Sequence, residues 1–273
     1  MSPLLLIAMA IAPGAAIMWF IYSKDKYEKE PKKLLFWCFV FGVLSIIPAI
    51  ILEKIGQASG LNISDNILIT FLFAFVVVGF SEEFSKYIFL NWYAFKKKEF
   101  NEPFDGIVYA VMVSMGFAVF ENIFYVLSNG FTNAIMRAVT AVPAHAAFGV
   151  IMGYYFGLAK FNKKKQFQYK MTGLLGAIAL HGGYDFFLFQ QNFPAAAILA
   201  FVALGIGVRY SFKAIKMHQE ASPFKPGNIV DKAAFEVLQP RVTPWKKDAP
   251  IWKAPPNQIE PKQEKNYNLD IDE

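Results

Sequence analysis

Apolar runs separated by short polar segments dominate this sequence. Windows of roughly 20 apolar residues, enough to cross a ~30 Å hydrocarbon core, fall near 3–22, 34–52, 67–92, 106–128, 138–158, 171–190 and 194–212. The pattern predicts an all-α fold, a polytopic transmembrane helix bundle of about seven spans. Pro48 is expected to kink the second span, because its ring removes a backbone donor. No sequence repeat relates the two halves, which disfavours an inverted-repeat transporter.

The charges between the runs alternate. Lys24, Lys26, Lys29, Lys32 and Lys33 follow the first run. Lys96, Lys97 and Lys98 follow the third, Lys160, Lys163, Lys164, Lys165 and Lys170 the fifth, and Lys213 and Lys216 the seventh. The other connections hold Lys54 and, near a helix start, Arg137. Basic loops stay cytoplasmic, so the N-terminus is expected outside and the C-terminus in the cytoplasm. The first run has no basic residue before it and reads as an uncleaved helix, not a signal peptide.

Composition agrees. Of 273 residues, 55% are hydrophobic and 18% charged, below the ~25% charged of soluble domains. The net charge of +6 resides largely in topology-setting lysines, so no nucleic-acid partner is expected; the bilayer is. Cys38 is the only cysteine, which excludes an intrachain disulfide and a CxxC metal site. Eight of the 15 prolines lie beyond residue 220. The expected division is a membrane domain over 1–212 and a disordered, Pro/Lys-rich cytoplasmic tail over 213–273. Trp245 and Trp252 in that tail favour a membrane surface, although an inert tail fits the composition better.

The candidate chemistry lies inside the apolar runs. Glu82 and Glu83 interrupt the third, Glu121 the fourth, His145 the fifth, and His181 with Asp185 the sixth. Each ionisable group at the bilayer centre costs roughly 2.5–3.5 kcal/mol. Lys86 lies three and four residues after the two glutamates, on their helical face, and is the expected counter-charge. One carboxylate is then expected to stay ionised as a base and the other to be protonated or hydrogen-bonded. His181 and Asp185 are also four apart, a spacing that lets the acid orient the ring. Gly182 and Gly183 remove bulk beside it, admitting a neighbouring backbone or a substrate. Gly149, Gly153 and Gly157 follow His145 at four-residue intervals, a close-packing stripe that turns His145 toward neighbouring helices. Counted along the predicted spans at ~1.5 Å per residue, these groups reach similar depths, as one shared site requires. An enzyme, a proton- or cation-coupled transporter, and a scaffold glued by buried polar groups all use such residues.

Taken in order, Glu82-Glu83-x-x-Lys86, Phe117-x-x-x-Glu121-Asn122, His145 and His181-x-x-x-Asp185, preceded by the DKYEKEPKKLL segment at 25–35, resemble the PrsW family of intramembrane proteases. That family is related to the CAAX-protease and bacteriocin-processing proteins. The resemblance covers about residues 20–190. It implies an intramembrane endopeptidase acting on a single-pass membrane protein, typically making the first cut in an anti-sigma factor, in a bacterial plasma membrane. It also implies Glu82 as the base that activates water, His181 as the group binding the scissile carbonyl, and Asp185 as its support. Glu121 and Asp185 stand where CAAX-protease relatives have histidine and often asparagine, which leaves His145 as a candidate second ligand for the water. The family is often labelled metallo, and zinc accepts Glu, His and Asp ligands. With no HExxH motif, and with Lys86 beside the acids, a metal-free glutamate mechanism fits these residues better and zinc is the alternative.

Overall fold

The computed structural model describes residues 2–190 and 193–228, and all regular structure among them is helical. The residues expected to form most of the tail, Trp245 and Trp252 included, lie outside the described residues. In chain order the main helices are α1 (Pro3–Lys24), α2 (Lys32–Leu44), α3 (Ile46–Ala58), α4 (Ile67–Leu72), α5 (Phe80–Trp92), α6 (Pro103–Val139), α7 (Ala141–Phe161), α8 (Gln166–Leu188) and α9 (Ala197–Glu220). The last helix thus continues eight residues past the predicted end of the seventh run.

Among the described residues, five helical stretches are long and apolar enough to cross a membrane: 3–24, 32–58, 67–96, 103–161 and 197–220. The 103–161 stretch contains both α6 and α7, two separate predicted spans. Helix α8, the predicted sixth span, is not among the five. It carries Gln166, Gln168, Lys170, His181 and Asp185, which lower its hydropathy.

The second run bends where proline chemistry requires it. Helix α2 stops at Leu44 and α3 restarts at Ile46, so the break precedes Pro48 by one turn, at the carbonyls its ring would obstruct. The Ser45 hydroxyl donates to the Gly42 carbonyl across the break (2.6 Å). In the third run, residues Phe73–Gly79 form a π-helical segment between α4 and α5. Such a segment adds residues to a turn and re-phases the helix that follows. Here that helix carries Glu82, Glu83 and Lys86.

Helices α6 and α7 form the centre of the bundle. They meet along the glycine stripe: a Cβ on Gly153 would overlap the Gly106 carbonyl, and one on Gly157 the Pro103 carbonyl. The opposite face of α6 packs as closely on α2, where a Cβ on Gly116 would overlap the Phe39 carbonyl. Side chains bridge what the glycines bring close. The Ser114 hydroxyl donates to the His145 carbonyl (2.6 Å), and the Asn122 amide donates to the Ala10 carbonyl of α1 (2.9 Å).

Helix α6 is not continuous. At Gly130 the backbone takes φ +76° and ψ −159°, which side chains with a Cβ rarely adopt. The segment after it doubles back, so that Ala134 packs with Val126 and Ala10. This reversal, inside what reads as a loop, returns Arg137 to the level of Glu121.

At the other end of α6, Asp25, Glu28 and Glu30 of the α1–α2 connection meet Glu102 and Asp105. Asp105 caps α6 by accepting the Asn101 and Glu102 N–H groups (2.8 Å each). Burial pushes the Asp25 carboxyl up to about 6 and the Glu102 carboxyl up to about 8, and Glu30 is raised for the same reason.

Candidate active site

All seven residues singled out in the sequence converge. Glu82, Glu83 and Lys86 come from α5, Glu121 from α6, His145 from α7, and His181 and Asp185 from α8. The Lys86 ammonium is at the hub. It lies 3.2 Å from Glu82 Oε2, 2.8 Å from Glu83 Oε1 and 3.1 Å from His145 Nδ1, and 3.9 Å from the centre of the Phe117 ring. An ammonium only donates, so His145 Nδ1 accepts from it. The other ring nitrogen, Nε2, then carries the proton and donates to Glu121 Oε2 at 3.1 Å. That contact fixes the tautomer of His145 as well as its plane.

His181 lies between carboxylates. Its Nδ1 is 2.9 Å from Glu83 Oε1, and its Nε2 is 3.2 Å from Asp185 Oδ2 and 3.9 Å from Glu82 Oε2. Phe148 stacks on the ring at 4.8 Å between centroids, and the His145 ring stands edge-on to it at 5.2 Å. Beside it, Gly182 permits the backbone approach expected of it: a Cβ there would collide with Phe75 of the π-helical segment. The π-helical segment and the histidine helix therefore touch beside the site.

The two adjacent glutamates differ in what they face. A cavity of about 540 Å³ opens among α3, α5, α6, α7 and α8, and Glu82, Glu121, His145, His181 and Asp185 line it. Glu83 is not on its wall. It is fully buried behind Lys86 and His181, and its Oε2 has no hydrogen-bond partner.

Three wall residues were not anticipated in a chemical role. Glu53 and Gln57 reach the cavity from α3. They continue the face of Ile46, Ala49 and Ile50 at helical spacing, which was the available signal, although next to Lys54 an acid at the end of an apolar run reads as a loop flank. Arg137, read only as a charge near a helix start, donates to Glu121 Oε2 and to Asn122 Oδ1 (2.8 Å each). The Asn129-Gly130 pair marks a turn, but nothing in the local sequence says that the chain beyond it returns Arg137 to Glu121.

Around the cavity, the carboxylates of Glu53, Glu82, Glu83, Glu121 and Asp185 face two permanent cations, Lys86 and Arg137. Protons on the histidines or the acids must supply the remaining positive charge, because uncompensated ions are costly in low dielectric.

One donor atom from each of Glu82, Glu83, His145 and His181 lies within 4.8 Å of the other three, a ligand set that zinc accepts. The arrangement nevertheless does not fit a divalent cation. The Lys86 ammonium is already in contact with three of the four, and the His145 nitrogens are both engaged, one by that ammonium and one by Glu121.

Residues 30–208 match the family model described as PrsW family intramembrane metalloprotease. Proteins named Protease PrsW are similar over most of their length. The one from Geobacillus kaustophilus is 42% identical over 187 residues, 68% of this chain and 81% of its own. That from Halalkalibacterium halodurans is 37% identical over 206 residues, 73% of this chain and 94% of its own. That from Bacillus subtilis is 36% identical over 184 residues, 67% and 82% of the two chains. No solved structure matches. With matches of this extent, and with the Glu82-Glu83-x-x-Lys86, Glu121, His145 and His181-x-x-x-Asp185 motifs drawn into one cluster, the chain belongs to the PrsW family of intramembrane proteases.

Proposed function

We propose that this protease hydrolyses a peptide bond of a membrane-anchored protein within the cavity, using Glu82 as general base. The observation that carries this reading is the difference between the paired glutamates: Glu82 faces the cavity, whereas Glu83 is enclosed behind Lys86 and His181. A water hydrogen-bonded to Glu82 loses its proton to the carboxylate as its oxygen attacks the scissile carbonyl. Negative charge then develops on the carbonyl oxygen. His181 lines the cavity with Nδ1 held by Glu83; its Nε2–H, 3.2 Å from Asp185 Oδ2 in the resting site, turns from that carboxylate to donate to the developing charge. The same proton, returned from Glu82, completes the leaving amine.

The other residues position these groups. Glu83 holds Lys86 and His181 through one oxygen, and Asp185 holds the other His181 nitrogen. Arg137 fixes Glu121, and Glu121 fixes His145. The Lys86 ammonium supplies the positive charge beside Glu82, Glu83 and His145. Glu53, Gln57 and Ile63 line the cavity toward the α3–α4 connection, so water and substrate enter from that end. In the seven-span topology this is the outer side of a bacterial plasma membrane. The substrate class follows the resemblance: a single-pass regulatory protein of the anti-sigma-factor type, receiving its first cut.

The isosteric Glu82→Gln variant tests the base. It should accumulate normally in membranes and lose cleavage by about 10²-fold or more. Membrane proteomics comparing this strain with a deletion strain should reveal the same uncut protein in both. Cleavage at the wild-type rate in Glu82→Gln would remove the assignment.

A further inference from the structure

A second group of acids occupies the opposite end of α6 and takes no part in the chemistry above. One oxygen from each of Glu28, Glu30 and Asp105 lies within 4.8 Å of the other two. Glu30 and Asp105 are 2% and 0% exposed. Asp105 is sixteen residues before Glu121 on the same helix, or ~24 Å at 1.5 Å per residue. The two groups are therefore separate sites.

Glu30, Asp105 and the neighbouring Asp25 are each anchored through one oxygen and leave the other bare. Glu30 Oε2 accepts from the Tyr109 hydroxyl. Asp105 Oδ2 accepts two backbone N–H groups, and the neighbouring Asp25 uses Oδ2 to accept the Glu30 N–H (3.1 Å). The opposite oxygens, Glu28 Oε2, Glu30 Oε1, Asp105 Oδ1 and Asp25 Oδ1, are buried without a hydrogen-bond partner. A bare buried acceptor costs about 1–3 kcal/mol, and more when charged, so several facing one another call for a shared proton or a cation between them. The nearby lysines point elsewhere. Lys29 donates to the Tyr22 carbonyl and covers the Tyr22 ring, and Lys160 donates to the Phe95 and Lys97 carbonyls (2.7 and 2.9 Å).

We infer that Glu28, Glu30 and Asp105 bind a hard divalent cation of the Ca²⁺ or Mg²⁺ class, clamping the α1–α2 connection to the start of α6. The donors are all oxygen, with no imidazole or thiolate in the group, which is the preference of those ions and not of zinc. The second carboxylate oxygens of Glu30 and Asp105 are held by the scaffold, so these two ligand oxygens are preorganised. Glu28, the half-buried member, is the entry side.

The test is a titration of the purified full-length chain in an uncharged detergent with Mn²⁺ alone, reading loss of the free-ion paramagnetic resonance signal, followed by displacement with Ca²⁺ or Mg²⁺. The wild type and the Glu83→Gln variant should both bind one displaceable ion. Glu28→Gln and Glu30→Gln should weaken that binding by about tenfold or more, within the range over which ligand charge tunes such sites. Because Glu28 is half-buried and glutamine is isosteric, Glu28→Gln decides the matter if Glu30→Gln does not fold. Absence of binding up to about 1 mM, the weak limit of natural sites of this type, means that the acids share protons only and overturns the inference. Binding unchanged in Glu28→Gln, or lost in Glu83→Gln, overturns it equally, because the ion is then held elsewhere.

Discussion

Replacing Lys86 with methionine removes the hub of the active-site cluster and gives the sharpest test of its electrostatics. Methionine keeps the length and packing of the side chain but not its charge. The ammonium is 2% exposed and touches Glu82, Glu83 and His145. Without it, Glu83 retains only His181, Glu82 retains only a His181 nitrogen at 3.9 Å, and His145 Nδ1 loses its donor. Breaking a buried ion pair from one side costs about 3–5 kcal/mol, because a desolvated charge is left behind. An exposed helical pair of the same spacing contributes only about 0.3–0.5 kcal/mol, so the two cases are well separated. The assay is equilibrium unfolding of the purified chain in mixed micelles for wild type, Lys86→Met, Glu83→Gln and the double variant. Lys86→Met should lose about 3 kcal/mol or more. The double variant should recover a large part of it, because the orphaned acid is gone, giving a coupling energy within the 0.5–3 kcal/mol seen for contacting residues. A Lys86→Met protein within about 0.5 kcal/mol of wild type, the range of inconsequential surface changes, would refute the account of Lys86 as the buried counter-ion.

Two further expectations follow from the same cluster. Arg137→Gln leaves Glu121 without its cation and His145 without a fixed partner, so kcat for cleavage should fall with little change in KM; equal activity at normal abundance would show that Arg137 does not act through Glu121. Purified, active protein should hold less than stoichiometric zinc and keep its activity after treatment with strong chelators, since Lys86 holds the central position. One bound zinc per chain, together with loss of activity on chelation, would reverse that conclusion.

The sequence by itself determined the all-helical membrane character, because a chain in hydrocarbon must satisfy its backbone within each segment and the apolar runs are long enough to do so. It also picked out most of the buried polar cluster. Charges inside such runs are expensive, so each marks a required position, and helical spacing alone places Lys86 beside both glutamates and Asp185 beside His181. What one helix knows about itself ends there. That Glu82 faces open space and Glu83 does not depends on the π-helical segment ahead of α5 and on helices tens of residues away. Arg137 reaches Glu121 only because Gly130 reverses the chain, and Glu53 joins the cavity because α3, restarting after the break at Ser45, packs on α5 and the π-helical segment. These are relations between helices, set by which backbones can approach at glycine and which polar groups must then find partners. Sequence spacing within one segment does not carry that information; the packed bundle does.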